Sequence, residues 1–502
     1  MNNLIKLLKN FVFGLFGVIL CLLFLLSIFQ TSKVNSDEQI SFHWDFPFLH
    51  IIFLILICLA GVYLFQREHK FLPSKYFYLL AAIVLLTLVF LTQFWPKGDS
   101  FILMNMAVHI SEGNFQDFLP GGYLYNQPHQ LTMAYLCAAL YKLFGRSYIF
   151  VFQALNCFCT VGVLYMLQVL YERLCGKISK AGFRVFSVLF LPCLLYVTFV
   201  YGTMPGLFLA LSACVQWMKY LTSGSYRNAF AAVILITAAK MIKSNYLIFV
   251  VAMAAVLAYD FLKTVRKRHV AVLCMLIVSI FLTSHAMTSF TEHLTKVTSK
   301  GGIPSVLFVM MGFQDGQLAP GWWTGYHELI FLKNDFDVEK SAEIGKERLL
   351  ESLEKMKNDP AYGASFLLKK TASQWSEPTY QSIWIQQNRD SNTHVPKILD
   401  RLFFGGGRLA DAYILFCNLF QSFLYFFALL FVVGKWKDVS VSELLLPVIF
   451  IGGFLFHFFW EAKGQYTLPY CICLLPMCFW GYGFAVQWLR DRKEKGWKWF
   501  LK

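Results

Sequence analysis

The chain has 502 residues, 57% of them hydrophobic and 15% charged, where a soluble domain carries about 25% charged and about 45–50% apolar residues. That composition excludes a soluble enzyme and reads as an all-α polytopic membrane protein, whose apolar side chains face lipid. A formal net charge of +15 would point to nucleic acid in a soluble protein, so its distribution along the chain decides.

Crossing about 30 Å of hydrocarbon at about 1.5 Å per residue takes about 20 apolar residues. Twelve runs are read as spans, near 10–30, 47–66, 76–95, 147–171, 184–200, 205–221, 227–240, 245–261, 270–288, 409–434, 441–459 and 465–489. The two weakest, 205–221 and 227–240, are expected to be broken or re-entrant. Lys6 and Lys9 precede the first run as in a signal peptide. That run is too long and lacks a small-residue cleavage site, so it is read as a retained anchor.

With the N-terminus placed inside, the inner segments hold 23 Lys and Arg and the short outer ones 7. The long outer segment 289–408 holds 14 bases balanced by 14 acids. The basic excess is therefore topological, with both termini cytoplasmic, and nucleic acid drops out as a partner. The inner loops are too short to fold a nucleotide-binding domain, and no P-loop or dinucleotide fingerprint occurs. The 13 cysteines avoid segment 289–408 and form no CxxC pair. Cys157/Cys159 and Cys471/Cys473 read as small core residues, not as a redox or metal site. The chain has no Asn-x-Ser/Thr acceptor, which favours a bacterial plasma membrane. The expected organisation is a two-span region 1–75, a transmembrane module 76–288, an extracytoplasmic loop domain 289–408 and a three-span region 409–502 with a basic tail.

The outer segment 96–146 carries two apolar stretches, 100–111 and 130–144, each too short to span and expected to lie as helices in the interface. Between them GGYLYNQPH offers Tyr123, Tyr125, Gln127 and His129 on a tight turn. Asp99 directly follows a span. Its bland reading is an N-cap for a helix starting at Ser100. Its sharp reading is a partly desolvated carboxylate base at the membrane surface.

An Asp just past a span, then A-x-x-I-x-x-G-N-F (Ala107 to Phe115), an aromatic turn with Pro128 and a helix ending Leu143-Phe144-Gly145 resembles the first outer loop of GT-C glycosyltransferases. Protein mannosyltransferases and aminoarabinose lipid A transferases belong to that group. The resemblance covers roughly 76–288. It implies a GT-C-like fold, a sugar donor carried on a polyprenyl phosphate, a glycan or lipid acceptor, and Asp99 as catalytic base. Many members have a second acid directly after the Asp, where this chain has Ser100. Either Glu112 or Asp117 serves instead or none is needed, which leaves a divalent metal open as cofactor.

Two further boundaries carry polar groups. Lys240, Lys243 and Asn245 lie in the hinge AAKMIKSNYL, where a lysine either snorkels to headgroups or meets a lipid-linked phosphate. Glu461, Lys463 and Tyr466 lie in FHFFWEAKGQYTLPY, whose Glu…Tyr…Pro run resembles a motif at the same place in bacterial GT-C enzymes. It is read as lining the donor or acceptor site.

In the long outer segment, 338–357 has helical periodicity with a Glu351–Lys355 pair and stops at Asp359-Pro360. Residues 361–375 form a second predicted helix. Trp322 and Trp323 stand in a glycine-rich loop, suited to stacking on sugars and equally to the bilayer surface. WSEPTYQSIW resembles a segment of Gram-positive members of the group.

The expected function is a plasma-membrane glycosyltransferase, bacterial and Gram-positive. It moves a monosaccharide from a polyprenyl-phosphate donor to a hydroxyl of an outer-surface glycan, teichoic acid or lipid, with inversion. The rival is a transporter, flippase or polymerase of lipid-linked glycans. A transporter predicts ionisable groups buried mid-span, whereas the charges here cluster at the outer boundary.

Overall fold

The computed structural model describes residues 2–35, 37–64, 72–174, 179–298, 301–383, 388, 394–404 and 406–494. Arg67, Lys70, Cys175 and Lys177, and Lys495, Lys498 and Lys502 of the basic tail, lie outside the described residues. Among the described residues eight helical runs are long and apolar enough to cross a membrane, nine if one bent pair counts as a span, against the twelve expected. The molecule is a helical bundle, in keeping with the all-α expectation, with one small two-stranded sheet added.

Helix α1 (Asn2–Phe29) leads into that hairpin, β1 (Gln30–Val34) paired antiparallel with β2 (Ile40–Trp44). Asn35 closes the turn, its Oδ1 accepting from the amides of Asp37 and Gln39 at 2.9 Å. Helix α2 (Pro47–Leu64) and α3 (Ser74–Thr92) follow. α1 packs against the helices Arg408–Lys435 and Leu445–Phe459, and α2 against Gly464–Glu494, all far along the chain.

The two stretches expected to lie in the interface form helices that pack on each other. They are α4 (Asp99–Glu112) and α6 (Leu131–Phe144), separated by the short turn α5 (Tyr123–Asn126). Leu103, Met106, Ala107 and Ile110 meet Met133, Ala134 and Cys137 in one buried cluster. That cluster also takes in Phe152 of α7 (Tyr148–Arg173). α6 and α7 are joined by one turn, so the apolar stretch runs from Pro128 to Arg173.

The sequence expectation put the broken spans at 205–221 and 227–240. The structure puts the break one segment earlier. α8 (Lys180–Val188) and α9 (Leu191–Leu195) are bent by 64° where Pro192 enters at the first turn, a position at which proline starts a helix but cannot continue one. α10 (Thr203–Ser223) and α11 (Tyr226–Ile242) are unbroken and pack closely together. Pro205 sits in the first turn of α10, where its missing N–H costs nothing. α12 (Leu247–Thr264) and α13 (Arg268–Thr295) complete this part.

After α13 come α14 (Ser305–Gly312), α15 (Tyr326–Lys333), α16 (Val338–Asn358) and α17 (Pro360–Trp375). Both helices predicted here form where expected. Asp337 caps α16 by accepting from the Lys340 amide, and Asp359 caps α17 by accepting from that of Tyr362. The Glu351–Lys355 pair does not form: Lys355 turns to Asp315 at 3.3 Å and to the Tyr362 ring, while Glu351 pairs with Arg348 at 3.0 Å. α18 (Lys397–Phe403), α19 (Arg408–Lys435), α20 (Leu445–Phe459) and α21 (Gly464–Glu494) close the chain.

Chain reversals gather at one end of the bundle. The Ser32 amide donates to Ser376 O, the Ile40 amide to Leu318 O and the Ala462 amide to Gly321 O. Trp95 bridges Asn388. A buried network fixes the hairpin base: Thr31 Oγ1 and the Asn418 amide both donate to Asp45, and His50 bonds Ser422 at 2.8 Å. All four cysteines of the CxC pairs are buried, and no described cysteine is paired with another.

Candidate functional site

Asp99 is not an N-cap. Gly98 holds the cap position at φ 59°, and Asp99 is the first helical residue of α4, with no side-chain capping bond. A glycine takes that left-handed backbone without strain, which leaves the Asp99 carboxylate exposed and free of structural duty. A negative charge in the first turn is favoured by the helix dipole.

Lys243 stands opposite. α11 stops at Ile242, and Lys243 turns extended, at φ −149° and ψ 117°, before a short turn into α12. This points its side chain into the protein, where it is 9% exposed. Nζ donates to Thr203 Oγ1 at 2.9 Å and lies 4.9 Å from the centre of the Tyr201 ring. The backbone approach that brings these together needs a glycine: a Cβ on Gly202 would stand 2.6 Å from Ile242 O. Burial pulls the Lys243 ammonium down to about 7, the charge of Asp99 pulling it back up and that of Lys463 pushing it lower. An inward, buried lysine is not snorkelling. Its neighbour Lys240 bonds Ser284 at 2.8 Å instead.

The connection from α20 to α21 forms a third wall. Glu461 is 7% exposed and burial pushes its carboxyl up to about 7, against the lowering effect of Lys463. Lys463 pairs with Glu38 of the hairpin turn at 2.6 Å. Burial works against its charge, but Glu38 and Asp99 outweigh it and hold the ammonium above its ordinary range. Tyr466 stacks on His457, ring centres 5.7 Å apart. This connection is fastened from beneath. Lys370 donates to Gly312 O at 2.6 Å and to Phe458 O at 2.8 Å. Gly321 at φ 75° passes so close to Gly312 that a Cβ would meet its carbonyl at 2.7 Å.

His129 completes the ring. It keeps a large exposed area, yet burial pulls its imidazole down to about 4, against the charge of Asp99. The charge of Asp99 also reaches Tyr123, Tyr201 and Glu328. The Gln130 amide is hydrogen-bonded to the Tyr201 hydroxyl.

Sequence reasoning named Asp99, Tyr123, His129, Lys243, Glu461, Lys463 and Tyr466 from three separate segments, and the fold brings the other six within electrostatic reach of Asp99. Asn245 lies half-buried in the turn after Lys243, and Gln127 half-buried beside His129. Tyr125 is turned away, stacked on Phe331 at 6.3 Å. Trp322 is fully buried and donates to Ser373 at 2.8 Å, so it is a core residue beneath Ala462 and offers no face to a sugar. Trp323 is 47% exposed. Glu112 and Asp117 stand at the far end of α4, about 20 Å from Asp99 at ~1.5 Å per residue, and Asp117 is bonded to His109 at 2.7 Å. The carboxylates that do share electrostatics with Asp99 are Glu461 and Glu328. Among the described residues no cluster of three or more His, Cys, Asp or Glu has metal-binding spacing.

Sequence reasoning missed Glu38, Tyr201, Thr203, Glu328 and Lys370. For Glu38 a signal was present: QTSKV and ISFHW flank a polar NSDEQ turn, which is hairpin patterning.

No protein-family model matches the sequence, and no curated protein does. Among solved structures, the Archaeoglobus fulgidus oligosaccharyltransferase in the apo form is similar at TM-score 0.41 and 13% identity. The match covers 84% of this chain and 52% of that one, so the chain spans about half of its length. A similarity of that size is too low to carry fold or activity across.

Proposed function

We propose that the chain is an integral membrane glycosyltransferase of GT-C type. It would transfer a monosaccharide from a polyprenyl-phosphate donor to an acceptor hydroxyl at the membrane surface. The observation that carries this reading is the pairing of an exposed, structurally idle carboxylate, Asp99, with a buried ammonium, Lys243, whose described polar bond is to one hydroxyl. A buried cation held so sparsely is a seat for an anion.

In the proposed reaction the acceptor hydroxyl gives its proton to Asp99 and its oxygen attacks the anomeric carbon. The bond from that carbon to the phosphate oxygen breaks, and the lipid phosphate departs with the electron pair against Lys243 and Lys463. The configuration inverts. Glu461 and His129 stand in the same site beside the attacking group. The site would face the outer surface, with both termini cytoplasmic, and 76–288 would form the catalytic module. An acidic residue directly after Asp99 is not required in this arrangement, since Glu461 faces it.

The test is reconstitution of the purified protein in vesicles with a panel of radiolabelled polyprenyl-phosphate sugars. Transfer to, or hydrolysis in the absence of, an acceptor supports the reading. Movement of intact donor across the bilayer with neither reaction would replace it with the transporter.

A further inference from the structure

α18 and the first turn of α19 enclose an open cavity of about 680 Å³ lined by Lys397, Ile398, Arg401, Gly406, Arg408 and Leu409. Three of these six residues are cations and none is an acid. All three are exposed, and among the described residues none of them makes an ion pair. The acids close by in sequence are otherwise occupied: Asp411 pairs with Lys33 at 4.0 Å, and Asp400 has a partner of its own. Three like charges around one space favour an anion between them.

The cavity is held on a fixed support. Phe403 and Phe404 of α18 pack edge-on against Phe94, at 4.8 and 5.2 Å between ring centres. Phe94 lies two residues after the end of α3 and five before Asp99. α19 has 28 residues, about 42 Å at ~1.5 Å per residue, which exceeds about 30 Å of hydrocarbon. Its first residues therefore reach headgroup depth when it crosses. Ile398 and Leu409, 66% and 37% exposed, add an apolar edge beside the cations. The volume lies in the range of small-molecule sites, about 300–1,000 Å³. Guanidinium forks suit phosphate oxygens in pairs.

We propose that this cavity binds the phosphate of a membrane lipid headgroup, at a site separate from that around Asp99. The cations hold the phosphate oxygens, and Ile398 and Leu409 meet the first carbons of the tail. The proposal does not depend on glycosyl transfer. Phosphate chemistry of this kind is offered by an anionic phospholipid and by a phosphorylated lipid carrier alike.

The experiment uses the full chain released from vesicles of phosphatidylcholine with phosphatidylglycerol and weighed by native mass spectrometry. The wild type should retain phosphatidylglycerol, and Lys397→Gln/Arg401→Gln/Arg408→Gln should retain at least ~5-fold less, since each cation near a headgroup is worth about 1 kcal/mol. Lys346→Gln/Lys357→Gln, on exposed α16, should behave as wild type. Equal retention by wild type and triple variant overturns the proposal, and so does an equal loss in the α16 control, which would mean diffuse charge. Arg401→Gln alone makes the same comparison with a smaller loss if the triple variant does not fold. Competition separates sources within a positive result. Displacement by undecaprenyl phosphate supports the carrier, displacement by inorganic phosphate supports phosphate recognition without a tail, and resistance to both supports the phospholipid.

Discussion

The Glu38 carboxylate lies 2.6 Å from the Lys463 ammonium, joining the tip of the β1–β2 hairpin to the connection between α20 and α21. Under the proposed reaction the same ammonium meets the departing phosphate, so Glu38 occupies an anion's place. The hairpin is tied at its base through Ser32 and Thr31. Its turn residue Glu38 has φ 62°, a backbone region most residues avoid.

Glu38→Gln should remove this competition while keeping the turn. Donor KM is expected to fall ~2- to 5-fold with kcat unchanged, in line with a partly exposed ion pair worth up to about 1 kcal/mol. A rise in donor KM would show that Glu38 holds Lys463 in its working position instead.

For Asp99 the predicted separation between folding and activity is sharp. Because its side chain caps nothing, Asp99→Asn and Asp99→Ala should both fold with the wild-type melting temperature, less the small first-turn dipole contribution of about 0.3–1 kcal/mol. Both should lose ~10²–10⁴-fold in turnover as a general base is removed. An Asn variant working within a few-fold of wild type would end Asp99's role as base.

Lys243 predicts a pH limit. Burial holds its pKa at about 7, so the ammonium is lost as pH rises through that value and donor affinity should decline above it. Lys243→Arg keeps its charge at every accessible pH and should move the alkaline limb of kcat/KM upward. Lys243→Gln should cost ~10²–10³-fold in kcat/KM below about pH 7 and progressively less above it, where the wild type has itself lost the charge. An alkaline limb left in place by Lys243→Arg would assign it to another group.

A stability prediction concerns Glu377, which is fully buried and accepts from the amides of Thr379 at 3.0 Å and Gln381 at 2.8 Å. Burial pushes its carboxyl up to about 7, against the lowering effect of these bonds. The folded state thus holds its proton more tightly than the unfolded state. The resulting stability is complete below about 4.5 and is lost as pH rises through about 7. Glu377→Gln should flatten that decline, read as a smaller change in melting temperature between about pH 5 and 8, with a pH-independent loss because its NH2 can no longer accept from one of the two amides. A steeper decline in the variant would show that the ionised carboxylate is the preferred form.

Long apolar runs were legible because a bilayer demands about 20 residues of one character; each of the twelve overlaps a helix or the bent α8–α9 pair, but only eight or nine of those elements are long and apolar enough to cross. The location of the break was not legible. Pro205, at the first turn of α10, is harmless, while Pro192 bends the chain. Asp99, Lys243 and Glu461 stood out because charges at span ends are conspicuous in an apolar chain. Glu38 and Glu328 did not, because in polar loops they look like any solvated acid until tertiary contacts place them. Trp322 was misjudged for the same reason: its partner Ser373 is 51 residues away, and no local pattern announces that bond.

The packing of α1 and α2 also governs how the protein is made. Asp45 and His50 find Asn418 and Ser422 only after about 370 further residues have been synthesised. At ~5–20 residues per second that is a wait of roughly 20–80 seconds. Throughout it the first two helices lie in the bilayer with an ionisable pair lacking its final partners. A nascent chain in this state is a client for whatever shields polar groups at the translocation site. Substitutions at Asn418 or Ser422 would then act first on yield, before any effect on turnover.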